Sequence, residues 1–176
     1  MNLPALFCCI VLLAGISSRA DAATYLEASR LDDAYPPGST EVCIQDLPGD
    51  GNNILPTRFE VRGKVISRTT AHTIYRATAA WISQGDNVPD MTLTYTFTQR
   101  KDEMAHYSIV DPASMSVTMP GAGPGAEKTV LEGMRRRLSV GEQFSPYSET
   151  EITDFPSYVA HKPGEPPIYC HKEKQE

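Results

Sequence analysis

The segment Met91 to Thr98 sets Met91, Leu93, Tyr95 and Phe97 at alternate positions, with Thr92, Thr94, Thr96 and Thr98 between them. That period of two is the pattern of a strand with one apolar and one hydroxyl face; on a helix both sets would be scattered around the axis. Phe59, Val61, Gly63 and Val65 repeat the period against Glu60, Arg62 and Lys64. His72 to Ile82 is rich in β-branched and aromatic residues, and Met104 to Val110 reads as another strand. Met115, Val117 and Met119 alternate with Ser114, Ser116 and Thr118. Gly85-Asp86-Asn87 and Arg100-Lys101-Asp102-Glu103 have the composition of connections between such strands.

One segment has helical spacing. From Ala126 to Leu138, Val130, Leu131, Met134 and Leu138 form a single stripe, with Glu127 near the start and Arg135-Arg136-Arg137 at the end, as the helix dipole favours. Beyond it, Gln143–Thr153, Ser157–His161 and Ile168–Cys170 read as short strands separated by prolines. The order is strand after strand with no alternation of strand and helix. The fold class expected is therefore mainly β, of the α+β type: an antiparallel sheet, curled or paired as a β-sandwich, with one helix packed on it. Parallel nucleotide-binding folds are excluded, because they need repeated crossover helices.

Leu3 to Ile16 is an apolar run too short to span a bilayer, and Ala20-Asp21-Ala22 follows as a small-x-small cleavage signature. Residues 1–22 thus read as a signal peptide, with export as the destination. Cys8 and Cys9 leave with it. Cys43 and Cys170 remain, and an even count in an exported chain reads as one disulfide, Cys43–Cys170. A zinc site would need ligands paired at close spacing, which Cys43 lacks. The 176 residues fit one domain. Its parts are an acidic N-terminal arm over 23–40, lying on the surface or partly disordered, a single β-rich domain over 41–171, and a charged tail over 172–176. A net charge of −6 argues against a nucleic-acid binder, which needs a basic face.

Two surfaces are candidates for binding. The Thr92, Thr94, Thr96 and Thr98 stripe offers hydroxyls and methyls, and reads equally as the solvent side of a sheet. Arg58, Arg62, Lys64 and Arg68, with Glu60 among them, line the outer face of one strand, either as a docking patch for an acidic partner or as a solvated face with ion pairs. Arg136-Arg137 reads as a dibasic cleavage site, as part of a kinase motif with Leu138-Ser139, or as a helix end. A ribonuclease-like site would need His72 and His106 to converge with Glu60. No catalytic signature, cofactor fingerprint or metal-ligand spacing is present in the sequence.

With its leader (Met1 to Ala22), a mature chain of one domain and a single Cys43/Cys170 pair, the chain resembles, at class level, the small secreted effector-type proteins of plant-colonising fungi. The resemblance implies contact with a host protein rather than catalysis, and transfers no functional residue. The expected function is a secreted, monomeric, non-enzymatic binding protein, an effector or inhibitor acting by protein–protein contact without cofactor, nucleic acid or membrane. The alternatives are a secreted hydrolase, ribonuclease-like or polysaccharide-acting, and a structural cell-surface protein.

Overall fold

The structure, a computed structural model, describes residues 22–49, 56–83, 90–139 and 141–174. The leader up to residue 21, the Gly85-Asp86-Asn87 turn and the end of the charged tail lie outside them. Strands β1 (Thr40–Leu47), β2 (Thr57–Arg68), β3 (Thr73–Ser83), β4 (Met91–Lys101), β5 (Ala105–Thr118) and β6 (Gln143–Pro146) form an antiparallel meander, each paired with the next. A second meander, β7 (Thr150–Ile152), β8 (Tyr158–Ala160) and β9 (Ile168–Lys172), joins the first because β9 pairs with β1. The order is β6-β5-β4-β3-β2-β1-β9-β8-β7.

The two ends of that order are joined by the three residues of a 3₁₀ turn, Tyr147–Glu149. Tyr147 N–H still donates to Met104 on the β5 side, whereas the Glu149 carbonyl accepts from His161 on the β8 side. One stretch of chain thus passes its hydrogen bonding from one edge of the sheet to the other. β6 and β7 are two halves of one course, and the nine strands make about eight courses of a nearly closed barrel. The curled-sheet expectation is met, and the sandwich alternative is not.

Two bulges help the sheet to curl. One, between Thr94 and Thr96, sets extra β5 residues around Pro112 and Ala113 against β4, and Ser114 Oγ accepts from Thr96 N–H there. This lets Pro112 sit within a long strand, so the two strands read from the sequence on either side of it are one. The other falls between Val65 and Ser67. A slip of one residue turns every later side chain to the opposite face. Arg68, expected outside with Arg58, Arg62 and Lys64, therefore faces inward opposite Thr73.

Each end of the barrel is closed by a helix. Helix α2 (Ala126–Leu138) has the predicted bounds. Its Val130, Leu131, Met134 and Leu138 pack on a core of Ala79, Leu93, Val110, Met115 and Val117. Arg135 adds hydrogen bonds to the carbonyls of Pro112 and Met115. At the opposite end lies α1 (Tyr25–Ala34), which corrects the expectation of a surface arm over 23–40. Thr24 caps it through a reciprocal capping box with Glu27, and Leu31 and Tyr35 are buried against Val65 and Tyr75. The charged tail is also corrected at its start: Lys172 belongs to β9, and Glu173 pairs with Arg62.

The disulfide joins Cys43 and Cys170, which face each other across β1 and β9. No helix among the described residues is long and apolar enough to cross a membrane.

Candidate functional site

The side chains that alternate inward do not fill the barrel completely. A cavity of about 290 Å³ remains between α1 and the strands, at the lower end of the range for small-molecule sites. Its wall includes Leu31 from α1 and Tyr35 at its C-cap, Phe59 and Val61 from β2, Tyr75 from β3, Tyr158 and Ala160 from β8, and Ile168 from β9. The disulfide also faces it. The wall is therefore mostly apolar, with a few polar atoms at fixed points.

The most notable of these is Glu41. β1 puts Glu41, Cys43 and Gln45 on the inner face by the same alternation that orients the disulfide. Tyr158 Oη donates to Glu41 Oε1 at 2.9 Å. Among the described residues no Lys, Arg or His forms a salt bridge with Glu41. Burial pushes its pKa above the ordinary carboxylate value, and the Tyr158 hydrogen bond and the neighbouring His106 offset only part of this. The side chain is half-exposed by area and yet enclosed because the surface it shows faces the cavity. Burial, and then the field of Glu41, raise the pKa values of Tyr158, Tyr35 and Tyr75, so these phenols keep their protons.

This environment has a measurable sign. Below its ordinary value of 4.5, Glu41 is protonated folded or unfolded, and its burial has no ionisation cost. Above it, the unfolded chain gives up the proton first, so stability declines as pH rises towards the folded pKa. Glu41→Gln keeps an acceptor for Tyr158 and removes the decline. The variant is expected to gain in denaturant midpoint over the native chain at pH 7, with the gain shrinking towards pH 4. A difference independent of pH between 4 and 8 would contradict it.

Asp32, on α1, shows the opposite balance. Burial raises its pKa, but hydrogen bonds and charge from His106 and Lys101 outweigh burial and hold it below the ordinary 3.8. Lys101 Nζ lies 2.8 Å from Asp32 Oδ2, and His106 Nε2 is 3.3 Å from Oδ1. The His106 and Tyr147 rings lie nearly perpendicular, with centroids 5.1 Å apart. Lys101 also donates to Ser29 Oγ. Helix α1 has no basic residue in its last turn. Two strand cations serve its C-terminal carbonyls instead: Arg68 donates to Asp32 O, and Lys172 Nζ donates to Ala34 O at 2.7 Å. The helix is thus held over the cavity by five polar ties from four side chains, as well as by its apolar face.

The histidines separate. His72 and His106 line one cleft of about 210 Å³ beside α1, together with Arg68, Lys101 and Asp32. Glu60 is not with them: it is bound to Arg62 in the outer row of β2. The His72/His106/Glu60 triad therefore does not assemble. His161 contacts Glu151 at 3.1 Å, and His171 is exposed. In α2, Arg136 and Arg137 are exposed in the last turn, while Arg135 ties the helix to β5. Among the described residues no cluster of His, Cys, Asp or Glu could hold a metal ion.

The two predicted surfaces fall on one face. Register places Arg62, Thr78, Thr94 and Ser116 in one row across β2 to β5, and Lys64, Arg76, Thr96 and Asp111 in the next. Thr92 lies between Ala80 and Thr118, Thr98 between Ile74 and Ile109, and Arg58 sits farther along β2 opposite Asp46. Thr98 is exposed, whereas Thr92, Thr94 and Thr96 are half-buried by their neighbours in the rows.

Sequence reasoning missed Glu41, Tyr158, Tyr35 and Asp32. One signal was present: with Cys43 facing inward, period two places Glu41 inside as well. No protein-family model matches this chain, and neither curated proteins nor solved structures give a match.

Proposed function

We propose that the chain is an exported, non-enzymatic binding protein whose primary site is the barrel cavity, and that its ligand is a small molecule with an apolar body. The observation that carries this reading is the unfilled, mostly apolar cavity with the Glu41–Tyr158 pair fixed in its wall. A buried polar pair in a mostly apolar wall orients a ligand, whereas a core built for stability alone would be packed through. The cleavage signature and the disulfide support export.

Indole, a neutral one-ligand probe of suitable size, tests the reading. Titration is expected to shift the methyl resonances of Leu31, Val61 and Ile168 saturably. Ala160→Trp, which fills the cavity from β8, is expected to weaken that binding at least about tenfold while the chain stays folded. Absence of a saturable shift in the native chain sinks the proposal.

A second reading, docking of a partner protein on the outer face, is favoured by the register that merges the threonine stripe with Arg62 and Lys64. Thr94→Glu with Thr96→Glu changes the character of that face without touching the cavity. The pair is expected to abolish capture of a protein partner and leave indole binding intact. Unchanged capture discards the outer face.

A further inference from the structure

We propose that the cavity selects an organic cation, an amine or quaternary ammonium carried on an aromatic or short aliphatic body. The inference rests on the cavity reading above and adds the chemical class of the ligand.

The first argument is charge. The cavity has two carboxylates on its wall, and they are treated differently. Asp32 has Lys101 at 2.8 Å and His106 at 3.3 Å. Glu41 has a phenol and, among the described residues, no salt-bridge partner; His106, committed to Asp32, reaches it only through space. A carboxylate without a counter-charge in a low-dielectric site is a standing cost, and a ligand ammonium would remove it. The cavity's Lys162 is exposed, so its charge is met by solvent.

The second argument is the direction of the hydrogen bonds. Tyr158 Oη donates to Glu41, Tyr35 Oη donates to the Pro156 carbonyl at 3.0 Å, and Tyr75 Oη donates to Gln99 Oε1 at 3.4 Å. Each phenol has one proton, and each is already committed within the protein. What these groups still offer a ligand is lone pairs and ring faces, which are acceptors. An anionic ligand would need donors that the phenols cannot supply. An ammonium finds acceptors on the Glu41 carboxylate and attraction from the rings of Tyr35, Tyr75, Tyr158 and Phe59 in the same wall.

The test is calorimetric titration of 2-phenylethylammonium, 2-phenylethanol and phenylacetate into the native chain and into Glu41→Gln. The ammonium is expected to bind the native chain at least about tenfold more tightly than the alcohol, as a hydrogen bond to a charged group allows. Phenylacetate is expected to bind most weakly. In Glu41→Gln the ratio of ammonium to alcohol affinity is expected to collapse, a ratio that a general loss of cavity binding would leave unchanged. If the alcohol or phenylacetate matches the ammonium while indole binds, the cation inference falls and the cavity reading stands. If neither indole nor any of the three binds, both fall. Retention of the ammonium preference in Glu41→Gln also overturns the assignment to Glu41. The three ligands on the native chain decide the charge preference even where the variant fails to fold.

Discussion

Removing the disulfide with Cys43→Ala and Cys170→Ala is expected to lower stability by about 4 kcal/mol, a large part of the net stability of a domain of this size. The bond closes a loop with a sequence separation of 127 residues, and loop-closure entropy grows with that length. For a chain of this size the loss corresponds to a melting temperature lower by roughly 10–15 °C. Thermal unfolding of the double variant beside the native chain measures it. A drop of only a degree or two would mean that the β1–β9 ladder holds the junction unaided.

Leu31→Ala is the second large effect. Leu31 is 7% exposed, belongs to the core formed with Tyr35, Val65 and Tyr75, and lines the cavity. Truncating a buried leucine costs about 2–5 kcal/mol, depending on how far the site collapses. Had residues 23–40 lain on the surface, the same change would shift stability by no more than about 0.5 kcal/mol. Denaturant unfolding separates the two outcomes. Because the missing side chain forms part of the cavity wall, the variant is also expected to accept a bulkier aromatic than indole. A destabilised variant with unchanged ligand size limits would place Leu31 in the core but away from the ligand.

The physical reasons for what the sequence revealed differ from element to element. β4 was legible because each inward residue from Met91 to Phe97 is apolar and each outward one is threonine, so one period carried all the information. Helix α2 was legible because its stripe, its acidic start and its basic end agree. The Cys43–Cys170 pairing followed from arithmetic. Helix α1 was hidden by its acidic composition, although Thr24 and Glu27 form a capping box and Ala28, Leu31 and Tyr35 share a face. Its basic complement is supplied by Arg68 and Lys172, from strands remote in sequence. The face of Arg68 was misread because a bulge of one residue leaves no trace in the alternation before it. The cavity depended on barrel closure, which sequence periodicity does not encode: alternation says which side is inward, not whether the inside is filled.

The strands at the ends of the hydrogen-bonded order, β6 and β7, have only four and three residues. Unpaired backbone on a long border is what allows one molecule to recruit another into a growing fibril; these two strands are short, and beyond Ser108 the β5 border is met by α2, whose Arg135 donates to the Pro112 and Met115 carbonyls. The stretch best suited to such recruitment, the threonine-rich β4, has a neighbour along each flank. With the export proposed above, which puts the chain beyond the reach of chaperones, its most adhesive strand stays sequestered from other copies of itself.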